Sequence, residues 1–148
     1  MSLLEKNLYK NLRIFPSSRE TPILTSKTYR GISTVNPNSK EFQIFDLALI
    51  KQDIVNHFHI RLGEKLENPE FGTIIWDVLF EPLTDALKNI IIQNVQDIIN
   101  YDKRVKVDRV VVDSYESGIK IECELTYLTY SISEKLRFNF DQKYGLLD

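Results

Sequence analysis

The spacing of apolar positions changes period along the chain, and the changes mark its elements. From Asp46, "DLALIKQDIVNHFHIRLG" places Leu47, Ile50, Ile54 and Phe58 three and four residues apart, with Lys51, Gln52, Asn56 and His59 between them. That is one face of an amphipathic helix, with Asp46 as its expected N-cap and Gly63 as its expected stop. A second stripe follows in "LTDALKNIIIQNVQDIINYDKR", where Leu83, Leu87, Ile90, Ile91, Val95, Ile98 and Ile99 share a helical face. Thr84 is the expected N-cap there, and Asn100 and Tyr101 the expected end. Then period two takes over. "RVKVDRVVVDS" predicts a strand with a slip or bulge where Val110, Val111 and Val112 run together. "SYESG" predicts a hairpin turn. "IKIECELTYLTY" puts Ile119, Ile121, Cys123, Leu125 and Tyr127 on one face, and "EKLRFNF" puts Leu136, Phe138 and Phe140 on one face. Three successive antiparallel strands make a meander with one buried face, which two helices can cover. The expected class is α+β: a meander sheet of three or slightly more strands packed on two amphipathic helices.

Residues 1–45 show no such period. "FPSSRETPILTSKTYRGISTVNPNSKE" holds Pro16, Pro22, Gly31 and Pro37 among Ser, Thr and Asn, which is turn and loop chemistry. The expectation is a loop-rich N-terminal arm over residues 1–45, with a short extended piece near Ile23–Thr25 or Tyr29–Val35, and one domain over residues 46–148. Such an arm is often ordered only by a partner.

Between the two helical stripes lies "ENPEFGTIIWDVLFEPL" (Glu67–Leu83), which spends several of the chain's five prolines and five glycines in one short segment. It is either a structural corner or a recognised surface. Phe71 and Phe80 are expected in the core. Trp76 is the better candidate for a partly exposed anchor, because Trp is enriched at interfaces.

Composition narrows the function. The 148 residues are 43% hydrophobic and 27% charged, with net charge −2, so a globular core is expected. There is no basic excess to neutralise a row of phosphates, so nucleic acid is not an expected partner. The single cysteine, Cys123, excludes an intrachain disulfide and any multi-cysteine zinc site. "MSLLEKNLYKNLRIF" has charges every few residues and no signal-peptide core, and no run approaches the roughly 20 apolar residues that span a bilayer. The expectation is a cytosolic protein, or one carried by something assembled there, with no membrane partner.

Little in the sequence suggests catalysis. His57 and His59 are two apart and point to different sides of a helix, so they cannot share a metal. Cys123 sits on an apolar strand face with no base in the pattern, as a buried structural thiol would. The glycines are scattered and form no phosphate loop. Glu64, Glu67, Glu70 and Glu81 cluster around the Glu67–Leu83 segment. Two of them can in principle form an acid/nucleophile pair for glycoside cleavage, or they can cap helix starts and pair with nearby bases. No catalytic residue, metal or cofactor is expected.

The ordered motifs resemble the sheath-initiator baseplate wedge proteins of contractile phage tails, which have a related member in the type VI secretion baseplate. Gly63, Glu64 and Lys65 stand where the family has a Gly-Glu/Ser-Arg-like turn. Pro69, Glu70, Phe71 and Gly72 match its Pro-Glu-Phe-Gly in full, and Leu79, Phe80 and Glu81 match its Leu-Phe-Glu. At "YDKRV", Asp102, Lys103 and Arg104 stand where Glu-Pro-Arg is expected, so the proline is lost. The likeness runs over roughly residues 45–142 and does not include the arm.

The resemblance implies a structural role without an active site. The Asp102–Lys103–Arg104 loop would dock onto neighbouring wedge proteins; apart from the resemblance, Trp76 by its residue type and Glu70 by its place in the corner are candidate further contacts, Glu70 alternatively a cap. A sheet edge would accept extended arms of the first sheath ring and template sheath assembly, because a free edge is a ready acceptor for a foreign strand. Arg104 would fork onto a partner's carboxylate or carbonyls, or else close an intramolecular salt bridge. Pro69 and Gly72 would make the corner. The protein would sit in the virion tail baseplate after assembly in the host cytoplasm, and in isolation its free edges would permit self-association. Two alternatives stand beside this one: a lysozyme-like glycoside hydrolase of the tail, and a generic peptide-binding adaptor.

Overall fold

The structure, a computed structural model, describes residues 28–33 and 43–147. The extended piece expected at Ile23–Thr25 lies outside these residues; the one expected within Tyr29–Val35 is strand β1, Arg30–Ile32. It pairs antiparallel with β2, Gln43–Phe45. So the arm contributes a small two-stranded sheet rather than loop alone.

Helix α1, Asp46–His59, follows β2 directly. Ile50, Ile54 and Phe58 are fully buried, as their spacing predicts. Asp46 does not cap this helix. It is the first helical residue, at φ 51°, and its carboxylate turns back to the arm. Nor does Gly63 stop the helix. The helix ends at His59, where the Ile60 amide donates to the His57 carbonyl, and Gly63 serves a later turn at φ 85°.

The corner after α1 is held by main chain. Thr73 N donates to Ile60 O at 2.8 Å, Leu62 N to Thr73 O at 3.2 Å, and Gly63 N to Pro69 O at 2.9 Å. Gly72 is required here: at φ 146° a Cβ would lie 2.5 Å from the Arg61 carbonyl. Asn94 closes the other side. Its amide donates to Gly72 O at 3.0 Å while its oxygen accepts Ile74 N at 3.1 Å, as a neighbouring strand would. One turn of helix, α2 (Ile75–Val78), follows. Trp76 Nε1 donates to Phe58 O at 2.8 Å and ties that turn to the end of α1.

Helix α3 spans Asp85–Asn100, and Thr84 Oγ1 caps it by accepting Leu87 N at 3.3 Å. Ile91, Val95, Ile98 and Ile99 are buried. Ile90 is not: it stands 55% exposed, one position off the buried stripe.

Strands β3 (Val105–Tyr115), β4 (Gly118–Tyr127), β5 (Ile132–Asp141) and β6 (Gly145–Leu147) form an antiparallel sheet in that order. The expected meander thus gains a short fourth strand. The register shift in β3 falls between Val107 and Arg109, while Val110, Val111 and Val112 pair regularly with β4. The alternation explains this correction. Val105 faces inward, and so do Val110 and Val112, so the inward parity switches between them and Asp108 absorbs the extra residue. Ile119, Ile121, Cys123, Leu125 and Tyr127 of β4 and Phe138 and Phe140 of β5 are buried against the helices. Phe58 meets Phe138 at 4.9 Å and Phe140 at 5.7 Å between ring centres, and Trp76 meets Phe140 at 5.2 Å. Burial pushes the Cys123 thiol up to about 12, so it carries no reactive thiolate at neutral pH. No helix among the described residues is long and apolar enough to cross a membrane.

Candidate functional site

The loop from α3 into β3 carries the acid–basic motif. Asp102 N donates to Ile99 O and Val105 N to Asp102 O, so the motif sits in a tight turn. Arg104 is bound within the chain. Its Nε donates to both Asp102 oxygens, at 2.8 and 3.1 Å, and its Nη2 reaches Asp102 and, at 2.6 Å, Asp53 of α1. Of the two readings for Arg104, the intramolecular bridge is present. The Arg104 side chain is 23% exposed and that of Asp102 only 8%. The bonds that Arg104 donates to Asp102 outweigh burial and hold Arg104 more firmly protonated than usual. Burial alone would raise the Asp102 carboxyl, but the Arg104 side chain, amide and charge keep it below 3.8. Tyr29 of the arm lays its ring 5.2 Å from the guanidinium carbon.

Beside this pair lies His57, which the sequence assigned no role. Its ring meets Phe71 edge-on at 5.2 Å and Tyr101 at 5.8 Å. Phe71 and Tyr101 are 4.4 Å apart, and Lys65 Nζ stands 4.9 Å from each of their ring centres. The His57 Nδ1 is buried with no hydrogen-bond partner among the described residues. Burial lowers the His57 pKa; the charges of Asp53 and Asp102 oppose that, and those of Lys65 and Arg104 reinforce it. Asp53, His57, Tyr101, Asp102, Lys103 and Arg104 line a cleft of about 550 Å³. Three sequence motifs converge here: Lys65 from the first turn, Phe71 from Pro-Glu-Phe-Gly, and Asp102–Arg104 from the last loop. Asp53 and His57 stand four apart on one helix face, and that spacing was the available signal for them.

The other predicted residues lie elsewhere. Phe71 is buried at 6%, but Phe80 is 73% exposed, so it does not pin the corner to the core; Leu79 does, at 6%. Gln142 Nε2 bonds Leu79 O at 3.1 Å and holds that backbone while Phe80 turns outward. Phe80, Glu81 and Pro82 border a second groove against Tyr115 and Glu116 of the β3–β4 hairpin. Trp76 is half-buried, with its indole N–H donated inward. Pro69, Glu70 and Glu81 are exposed, and Glu64 accepts the Arg61 amide at 2.9 Å. No group of three or more His, Cys, Asp or Glu side chains among the described residues is placed to hold a metal ion.

No curated protein matches the chain. Among solved structures, a crystal structure from Geobacter sulfurreducens that bears the provisional name tail lysozyme is similar at TM-score 0.55 and 21% identity, over 65% of this chain and 90% of that one. The cryo-EM structure of the anti-feeding prophage baseplate contains a chain similar at TM-score 0.52 and 17% identity, over 67% of this chain and 80% of that one. At such identities these likenesses establish the fold. Residues 46–139, well over half of the chain, match the family described as baseplate wedge protein gp25, and the chain belongs to that family.

Proposed function

We propose that this chain is a structural part of a contractile tail baseplate wedge, that it joins the wedge to the sheath, and that the edge of β5 templates sheath assembly. The observation that carries the reading is the open edge. Strand β6 covers only Asn139–Asp141, which leaves Ile132–Phe138 without a neighbour on that side among the described residues. Strand β5 pairs with β4 through ten residues without a register shift, so its far side offers a regular ladder. Strand β3, at the other edge, is broken by the Asp108 bulge, a common guard against strand addition. An extended sheath arm would therefore add to β5. Lys135 and Arg137 on its outer face, bridged to Glu122, keep that strand soluble until a partner arrives.

The Asp102–Arg104 turn would serve the wedge side. Asp102 and Asp53 preorganise Arg104, and Lys103 is exposed beside it. The partners are wedge proteins and sheath subunits, in a tail baseplate assembled in the host cytoplasm. The role is structural, not catalytic. Glu64, Glu67 and Glu70 project from exposed turns, and Glu64 already serves the Arg61 amide.

The test is capture of wedge and sheath proteins from the same genome by the purified chain. Lys103→Glu is expected to weaken wedge capture while leaving the fold intact. Hydrogen exchange should show new protection over Ile132–Phe138 when sheath subunit is bound. Protection along β3 instead would overturn the edge assignment, and no capture of any tail protein would overturn the role.

A further inference from the structure

Residues Thr28–Ile32 precede the family-matched region, yet they are built into it. Asp46 Oδ1 accepts the amides of Thr28 and Tyr29 at 2.8 and 3.0 Å, and the Tyr130 hydroxyl at 2.6 Å. The Asp46 amide donates back to Tyr29 O at 3.1 Å. Asp46 holds φ 51° to do this, a left-handed conformation that non-glycine residues take at a cost of about 1–3 kcal/mol when the surroundings demand it. Gly31 lies so close to α1 that a Cβ would stand 2.3 Å from Leu49 Cδ1.

Tyr29, thus anchored, reaches two places. The Arg104 guanidinium carbon stands over its ring, 5.2 Å from the centroid, and its hydroxyl shares a hydrogen bond with Thr129 Oγ1 at 3.1 Å. Thr129 belongs to the β4–β5 turn, which contains Ser131 at φ 52° and opens directly into the free stretch of β5. One side chain therefore bridges the loop assigned to the wedge and the turn beside the edge assigned to the sheath.

We propose that Thr28–Ile32 is a strap coupling these two surfaces: a partner that takes Arg104 from the Tyr29 ring displaces Tyr29 and so releases the β4–β5 turn. An aromatic group on the partner would compete with Tyr29 for the Arg104 guanidinium. The state of the wedge contact would then be felt at the sheath edge, a coupling carried by a contact with two discrete states. The regulatory part rests on the docking roles above; the strap itself does not.

The test uses the full chain and two substitutions. Tyr29→Phe keeps the ring and removes only the bond to Thr129. It should leave the Arg104 Nε–H resonance in place and raise amide exchange at Leu128 and Tyr130 about fivefold, the equivalent of one net hydrogen bond. Tyr29→Ala should also shift the Arg104 resonance. Arg104→Lys is then made in wild type and in Tyr29→Ala. The strap predicts that its effect on turn exchange largely disappears without Tyr29. Equal exchange in wild type and Tyr29→Phe, or an Arg104→Lys effect that persists without Tyr29, would overturn the strap. The second outcome would route the coupling through the Leu128 amide on Arg104 O instead. These readouts need no partner. Loss of sheath and wedge capture in every variant and in wild type would count against the baseplate role alone.

Discussion

Phe71 and Phe80 sit nine positions apart in one motif-rich segment and play opposite parts. Phe71 is buried between His57 and Tyr101, whereas Phe80 stands in solvent at 73% exposure. Phe71→Ala should therefore cost about 3–5 kcal/mol in chemical denaturation, the range for a buried aromatic. Phe80→Ala should change stability by no more than about 0.5 kcal/mol, as surface substitutions do. A reversed order would mean that the corner packs differently. Gly72→Ala should be destabilising by about 1–3 kcal/mol or more, because its Cβ would meet Arg61 backbone that cannot move without breaking the bonds at Ile60 and Leu62. The sequence put both Phe71 and Phe80 in the core, and only Phe71 is there. The exposure of Phe80 was not, because an apolar side chain carries no mark that says which way a turn will aim it.

Elements meet at His57. Helix α1 supplies His57 and Asp53, the corner supplies Lys65 and Phe71, and the α3–β3 loop supplies Tyr101, Asp102 and Arg104. The folded His57 holds its proton less tightly than a free histidine at 6.5. Between its folded value and 6.5 the unfolded chain binds more protons, so stability falls as pH drops through 6.5 and recovers above it. Asp102 acts lower, since its depressed carboxyl contributes stability that is lost only below 3.8. The expected result is a denaturation midpoint that declines from pH 7 to pH 5 in wild type. His57→Phe, which keeps a ring against Phe71 and Tyr101, should flatten that decline. A wild-type profile already flat over this range would show that His57 is not desolvated. Helix stripes and strand alternation were visible at this scale because burial on one face imposes their period. The β3 bulge was misplaced because three adjacent valines suggest a slip, while the parity switch between Val105 and Val110 marks its place.

At the scale of the molecule, a sheet covered by α1 and α3 on one face keeps its other face charged and, among the described residues, leaves Ile132–Phe138 of β5 without a strand partner on one side. The purified chain is expected to show no glycan release from peptidoglycan in a turbidity or reducing-end assay. Activity that disappears with Glu81→Gln would transfer the second groove, bordered by Glu81 and Glu116, from a surface to an active site.

The sequence by itself determined the α+β class, both long helices, the antiparallel meander and the motif order that marks the family. Each of these is local, written in period and spacing. Tertiary structure alone decided what those motifs do together. It closed Arg104 onto Asp53, fifty-one positions away, turned Asp46 from a helix cap into an anchor for the arm, and laid Tyr29 between Arg104 and Thr129. The physical reason is that a hydrogen bond or ion pair across a fold leaves no period in the chain. It depends on where three-dimensional packing brings two residues, and a one-dimensional pattern does not record that.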